Sequence, residues 1–350
     1  MRPLKLIQLT IDDLAFGARG VAREGDFVWF VDGAIPGQRV IARIRRKKKN
    51  HGEAVVHKVL QPSPFQIPPP CPYFSDCGGC RLQHLEYSKQ VEYKANQIGD
   101  VLERIGGIDR KIILEPVRAE SDYHYRNKME YTFSNRRWLL RDDPMEKPAD
   151  FALGLHAPGR YDKVLDIDRC LLPSETANQI LRVVRKSAAE SGLPPYDLKT
   201  HTGFWRFLVI REGRMTGQHM INIITSGESG QDGIAAVDRI ANHLNREIED
   251  LTTIVHSTSD RLSQVAYGDD TRIISGPGKI IDMIGDSRFE ISPEAFFQTN
   301  TVQAHQLFQT VADLAAFTGS ETVYDLYCGT GAIGIFIAPS VKQVLGIEVI

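Results

Sequence analysis

Near its C-terminal end the chain runs a short apolar strand into a glycine-rich turn, and that turn constrains the fold more than any other feature. ETVYDLY leads into CGTGAIG, then into the apolar segment IFIA and a second strand, QVLGIEVI. Strand, glycine turn, helix, strand is the opening unit of a parallel α/β sheet. Gly329, Gly331 and Gly334 spell G-x-G-x-x-G, a spacing shared with dinucleotide-binding folds. In those folds the apolar strand usually meets the first glycine directly. Here Asp325, Tyr327 and Cys328 intervene, as in turns that hold S-adenosylmethionine, where no pyrophosphate has to be cradled. The cofactor expected is therefore S-adenosylmethionine. Glu348, at the end of the second strand, is placed to accept hydrogen bonds from ribose hydroxyls, a role that both cofactor classes share. One such unit does not bury both faces of its own strands, so the chain reads as a C-terminally truncated protein whose last domain continues past Ile350.

The other end is a different kind of structure. LKLIQLTI, DFVWFVDG, QRVIARIRR and GEAVVHKVL are short strands separated by glycine-containing turns, the pattern of a small OB-like β-barrel over residues 1–60. Residues 1–60 carry twelve Lys and Arg against six Asp and Glu, although the whole chain has a net charge of −2. A basic first domain on an otherwise acidic protein points to a polyanionic partner, or else to a solvated basic face. Arg39, Arg43, Arg45, Arg46 and Lys47–Lys49 form the densest run. Trp29 and Phe30 could stack on bases, but on a strand one of two neighbours faces the core.

Pro62, Pro64 and Pro68–Pro70 make a linker, and cysteines follow at once. Cys71, Cys77 and Cys80 stand as C-x5-C-G-G-C, three thiols on a loop whose glycines allow a tight backbone. Cys170, in DIDRCLLP, is the best-placed fourth. Four thiolates fit a [4Fe–4S] cluster. They also fit structural zinc, which usually shows two paired knuckles, and three unrelated buried cysteines are the plain alternative. Apolar spacing from Ser88 to Ile105 is helical, and residues 110–260 mix strands (KMEYTFS, FLVIR, MINIITS, TTIVHS) with helices, an α+β region. The expected organisation is an α/β multi-domain chain with boundaries at 1–60, 61–290 and 291–350, in which helix 88–105 packs on the last domain. No segment approaches the roughly 20 apolar residues of a membrane span or looks like a secretory leader, so a cytoplasmic protein is expected.

Taken together, DDLAFGARGVAREGDFVWFVDGAIPGQRV (12–40), C-x5-C-G-G-C, YRNKMEYTFS (125–134), ISPEAFFQTN (291–300) and DLYCGTGAIGIFIA resemble the RNA uracil-5 methyltransferases, in particular their 23S rRNA (RlmD-type) branch. The similarity runs over essentially all 350 residues. It implies a TRAM RNA-binding barrel, a central α+β domain carrying a [4Fe–4S] cluster on Cys71, Cys77, Cys80 and Cys170, and the start of a Rossmann-like S-adenosylmethionine domain. Within that likeness Gln298 matches the cofactor-contacting glutamine, Tyr327 the aromatic residue that lies against the cofactor, and Glu348 the acid that holds its ribose. Ala332 stands where relatives carry Asn, so one polar contact is expected to be missing or replaced. Arg126 and Asn127 match a segment near the active site without an assigned role. The reaction implied is methylation of uracil C5 to 5-methyluridine, an EC 2.1.1 transferase activity, with 23S rRNA as the RNA partner. A tRNA substrate and a non-catalytic RNA-binding cluster module are the alternatives. The family's cysteine nucleophile and glutamate base are expected beyond Ile350, which would leave the 1–350 piece inactive alone, and Cys328 is not expected to be the nucleophile.

Overall fold

The computed structural model describes residues 5–140, 142–144, 146, 148–227 and 230–349. The chain divides into two compact units, Met1–Glu120 and Ser121–Ile350.

In the first unit, strands β1 (Leu6–Thr10), β2 (Asp13–Ala15), β3 (Arg19–Glu24), β4 (Phe27–Asp32), β5 (Arg39–Lys47) and β6 (His51–Gln61) form one sheet in the order β1-β5-β6-β4-β3-β2. Consecutive strands β1 and β2 thus occupy opposite edges, with only Ile11 and Asp12 between them. The chain turns that corner with both amides bonded: Ile11 N donates to Gln38 O (2.9 Å) and Asp12 N to Val21 O (2.8 Å). Two residues span only about 7 Å, so the sheet has to curl until its edges meet. The barrel expected from the sequence is therefore a curled half-barrel sheet joined by the chain itself, with no ladder between β1 and β2 among the described residues. Its core holds Leu9, Ile11, Trp29, Val31 and Val40. Trp29 is fully buried, and its ring lies 2.2 Å from where a Cβ on Gly52 would be, so only glycine fits beneath it.

The cysteine loop and helix α1 (Tyr87–Arg104) belong to the same compact unit. Leu85 packs with Leu14 and Ile35 in a small second core. Gln90 Nε2 donates to the carbonyls of Leu82 and Leu85, and Gln97 Nε2 reaches Leu14 O at 2.6 Å. Gln97 thereby fastens the helix to β2, and Gln90 fastens it to the loop that precedes it.

The second unit is built on an eight-stranded sheet, ordered β14-β13-β12-β11-β7-β9-β10-β8. Its strands are β7 (Lys128–Ser134), β8 (Arg137–Trp138), β9 (Ala152–His156), β10 (Val164–Asp166), β11 (Trp205–Gly213), β12 (Gln218–Thr225), β13 (Leu251–Thr258) and β14 (Asp270–Ser275). β11 is buried along its whole length. Helices α2 (Glu175–Glu190) and α3 (Gly230–Glu247) pack on each other and on the sheet. Ser174 caps α2, its hydroxyl accepting from Ala177 N, as its residue type favours. β12 and β13 are parallel and joined through α3, the connection a parallel pair requires.

A hairpin, β15 (Ile280–Ile284) and β16 (Ser287–Ile291), leads to α4 (Thr301–Ala315), then to β17 (Thr322–Leu326), α5 (Ala332–Ile337) and β18 (Gln343–Ile347). β17 and β18 pair in parallel, as the glycine-turn motif predicts. No helix among the described residues is long and apolar enough to cross a membrane.

Candidate functional site

The glycine turn begins where β17 ends. Tyr327 adopts a left-handed backbone, φ +59°, and is 82% exposed. A non-glycine residue held there costs about 1 kcal/mol or more, and such outliers cluster at ligand sites. Cys328 N donates to Ile347 O (3.2 Å), which fastens the turn to β18. Gly329 follows at φ +55°. Its amide donates to Glu348 Oε2 at 2.7 Å, while Glu348 Oε1 accepts from Val349 N at 2.7 Å. Glu348 thus braces the turn from the neighbouring strand. At Gly334 a Cβ would stand 3.0 Å from Asp325 Oδ2, and the Gly334 amide donates to that same oxygen (3.2 Å). Asp325 therefore ties the strand to the first turn of α5. The motif contains Asp325, but its spelling alone gives the residue no task.

Gln298 lies in the irregular segment between β16 and α4. Of the two aromatics before it, Phe297 is buried against Phe289 (5.6 Å between rings), whereas Phe296 is 69% exposed. Phe297 shares a core with Ile284, Phe289, Ala304 and Phe308, and Ala332, Ile333 and Phe336 of α5 pack on the same cluster. One apolar core therefore holds both the Gln298 segment and the helix that follows the glycine turn. Two buried polar residues hold the segment from the large sheet. Arg211, on β11, donates from Nε to Pro293 O (3.0 Å) and from an amino group to Ala295 O (2.6 Å). Asn127 Nδ2 donates to Gln298 O (2.8 Å) and Thr301 Oγ1 (2.8 Å). Burial pushes the Arg211 guanidinium down to about 10, which still leaves it protonated at neutral pH. The sequence reading missed Arg211; the signal available for it is an Arg inside the apolar strand FLVIR.

Cys71, Cys77 and Cys80 lie on one loop, with Ser75 in a left-handed conformation between them. Burial, and then the neighbouring thiols, raise the pKa of Cys71 and Cys77. Three thiols on one loop are donors that a soft cation would bind in the thiolate form. Among the described residues, however, no group of three or more His, Cys, Asp or Glu side chains is gathered closely enough to hold a metal ion. Cys170 is buried in the second unit, its backbone bonded both ways to the Asn178 side chain. Cys328 packs over Gly346, where a Cβ would lie 3.0 Å from its sulfur.

Among known proteins, no family model matches the chain. An RNA methyltransferase of Chlorobaculum tepidum described as uncharacterised is 40% identical over 99% of this chain and 72% of its own length. The chain belongs to the RNA methyltransferase family. A relative with the same description in Halalkalibacterium halodurans is 34% identical, again over 99% of this chain and 72% of its own. Among solved structures, the Pyrococcus abyssi tRNA (uracil-54, C5)-methyltransferase in complex with S-adenosyl-L-homocysteine superposes with a TM-score of 0.69. It is 27% identical, and the match covers 95% of this chain and 70% of that one.

An RNA methyltransferase needs a surface for a polyanion, and the first unit carries one candidate. Arg45 pairs with Asp32 (2.8 Å) and Lys47 sits over the Phe27 ring (4.8 Å). Arg46, Lys48 and Lys49 are exposed. The adjacent aromatics Trp29 and Phe30 of β4 divide as strand alternation requires: Trp29 is core, while half-buried Phe30 carries Arg19 over its ring at 4.8 Å.

Proposed function

We propose that this RNA methyltransferase places a methyl group on C5 of uracil, taking it from S-adenosylmethionine. The observation that carries the reading is the braced glycine turn, with Tyr327 held left-handed beside it and Gln298 fixed on the core that α5 shares. In this reading Tyr327 lies against the cofactor, Glu348 accepts from its ribose hydroxyls and Gln298 contacts it. Support comes from the solved relative, a uracil C5 methyltransferase in complex with the demethylated product of this donor. Bound there, S-adenosylmethionine supplies an electrophilic methyl group. Uracil C5 is a poor nucleophile. A thiolate adding to C6 makes an enolate whose C5 takes the methyl group; a carboxylate then takes the C5 proton, and elimination restores the C5=C6 bond and expels the thiolate. The thiolate is not Cys328, which is engaged in the cofactor turn.

As substrate we propose 23S rRNA, on the strength of the basic first unit and the C-x5-C-G-G-C loop. The second reading is tRNA, favoured by the substrate of the solved relative. Nucleoside mass spectrometry of both RNAs from cells lacking the gene decides. Loss of 5-methyluridine from 23S rRNA alone supports the first reading, loss from tRNA the second, and unchanged levels in both overturn the reaction itself. We further propose a structural [4Fe–4S] cluster with Cys71, Cys77, Cys80 and Cys170 as ligands. Protein purified without oxygen should contain iron and acid-labile sulfide; stoichiometric zinc without iron overturns the assignment.

A further inference from the structure

The segment 292–300 has no ladder of its own, yet it must present Gln298 in one fixed pose. A backbone stretch without secondary structure needs partners for its carbonyls. Here those partners are two buried side chains far away in sequence. Arg211 (3% exposed) holds the carbonyls of Pro293 and Ala295, upstream of Gln298. Asn127 (4% exposed) holds Gln298 O, while its own amide donates to Thr299 O at 2.8 Å. The two are neighbours across one pair of strands. Arg211 pairs with Lys128, and Glu212 N donates to Asn127 O (2.8 Å). The segment is thus laid across the end of β7 and β11 and gripped on both sides of Gln298.

The orientation of the Asn127 amide follows from what lies behind it. Thr301 Oγ1 donates to Asp282 Oδ2 (2.7 Å), and Asp282 Oδ1 accepts from Met215 N (2.8 Å). A hydroxyl has one proton. Thr301 gives its own to Asp282 and must therefore accept from Asn127, which places the Asn127 NH2 group, not its oxygen, against Gln298 O. Asp282 and Thr301 are themselves buried, at 0% and 1% exposure. The chain Met215–Asp282–Thr301–Asn127–Gln298 is satisfied at each of these links, and satisfied buried networks of this kind specify a single geometry.

The geometry points to Asn127 and Arg211 as positioning residues that hold Gln298 in its cofactor-contacting pose, acting through its backbone and touching no ligand themselves. This rests on the proposed role of Gln298 toward S-adenosylmethionine.

The test is a double-mutant cycle read by calorimetric titration with S-adenosylhomocysteine, on full-length protein well below its melting temperature. Gln298→Ala is measured first and should weaken binding about tenfold, the worth of one polar contact. Unchanged affinity in that variant removes the role of Gln298 and this inference with it. Asn127→Asp keeps the shape but turns an oxygen toward Gln298 O, and should weaken binding by a similar factor. In the Gln298→Ala background it should add nothing. Thr301→Ser, which keeps the hydroxyl, should bind like the parent, and Thr301→Val should not. Should Asn127→Asp fail to fold, Arg211→Lys takes its place in the cycle, since lysine keeps the charge and loses the two-pronged grip. Losses that multiply in the double variant, or no loss in Asn127→Asp, overturn the proposal: both residues would then be structural only.

Discussion

At the scale of single residues, Glu348 reads in the sequence as a ribose ligand, and the structure gives it a second task in bracing Gly329. Removing it should therefore cost twice, in a ligand contact and in the order of the turn. Glu348→Ala is expected to weaken S-adenosylhomocysteine binding by more than tenfold, on the order of 2 kcal/mol, with RNA affinity unchanged. Unaltered cofactor affinity would reduce Glu348 to a surface carboxylate. A different residue sets part of the response to acid. His256, buried in β13, has its pKa pushed down to about 4 by burial and by the nearby Arg272, although Asp238 acts the other way. Its ring bonds to Thr225 Oγ1 at 2.9 Å. The unfolded chain takes up that proton near pH 6.5 and the folded protein only near 4. The stability His256 contributes is thus complete above about 6.5 and is lost as the pH falls from there toward 4, by on the order of 2 kcal/mol. Urea unfolding at pH 7.5 and 4.5 should show the advantage of the parent over His256→Gln shrinking by that amount. A constant difference would mean that the imidazole is not held neutral. Neither effect is legible in the sequence. A motif names a residue type, but Gly329 N on Glu348 and Arg272 near His256 arise only when distant strands pair.

At the scale of elements, periodicity carries most of the reading, because strand alternation and helical spacing are local properties. The helix expected from Ser88 to Ile105 is α1, and the strands KMEYTFS, FLVIR, MINIITS and TTIVHS are β7, β11, β12 and β13. What periodicity does not supply is the corner at Ile11–Asp12 that curls the first sheet, or the grip of Arg211 and Asn127 on an irregular segment. Both depend on which strands become neighbours. β4 shows the limit well. Alternation says that one of Trp29 and Phe30 faces inward, and only the glycine at position 52, seated under the indole, decides that it is Trp29. Two opposite outcomes follow. Trp29→Ala should lower stability by roughly 3–5 kcal/mol, as for other fully buried aromatics, and be visible as a lowered melting temperature. Phe30→Ala should leave the melting temperature nearly unchanged and weaken single-stranded RNA binding by about 1–3 kcal/mol, the worth of one stacked base. Equal RNA affinity in that variant would take Phe30 off the binding face.

At the scale of the whole molecule, the basic run and the residues proposed for the cofactor sit in different units. The net charge of −2 conceals a first 60 residues with twelve basic against six acidic side chains. The residues proposed for the cofactor, Gln298, Tyr327 and Glu348, all lie in the Ser121–Ile350 unit. If the first unit supplies the electrostatic attraction to RNA, the two affinities should separate on mutation. Arg46, Lys48 and Lys49 are the right targets, since Arg45 and Lys47 are engaged with Asp32 and Phe27 and their removal would disturb the sheet as well. Every phosphate that a basic side chain ceases to neutralise lowers the slope of log affinity against log salt by about 0.7 on single-stranded RNA. Changing all three to Gln should therefore lower the slope by about 2 and weaken binding most at low salt. The affinity for S-adenosylhomocysteine should not move. An unchanged salt slope would mean that this run is solvated and that RNA is gripped elsewhere. A parallel loss of cofactor affinity would mean that the basic strands serve the second unit's stability, and the division of labour between the units would fail.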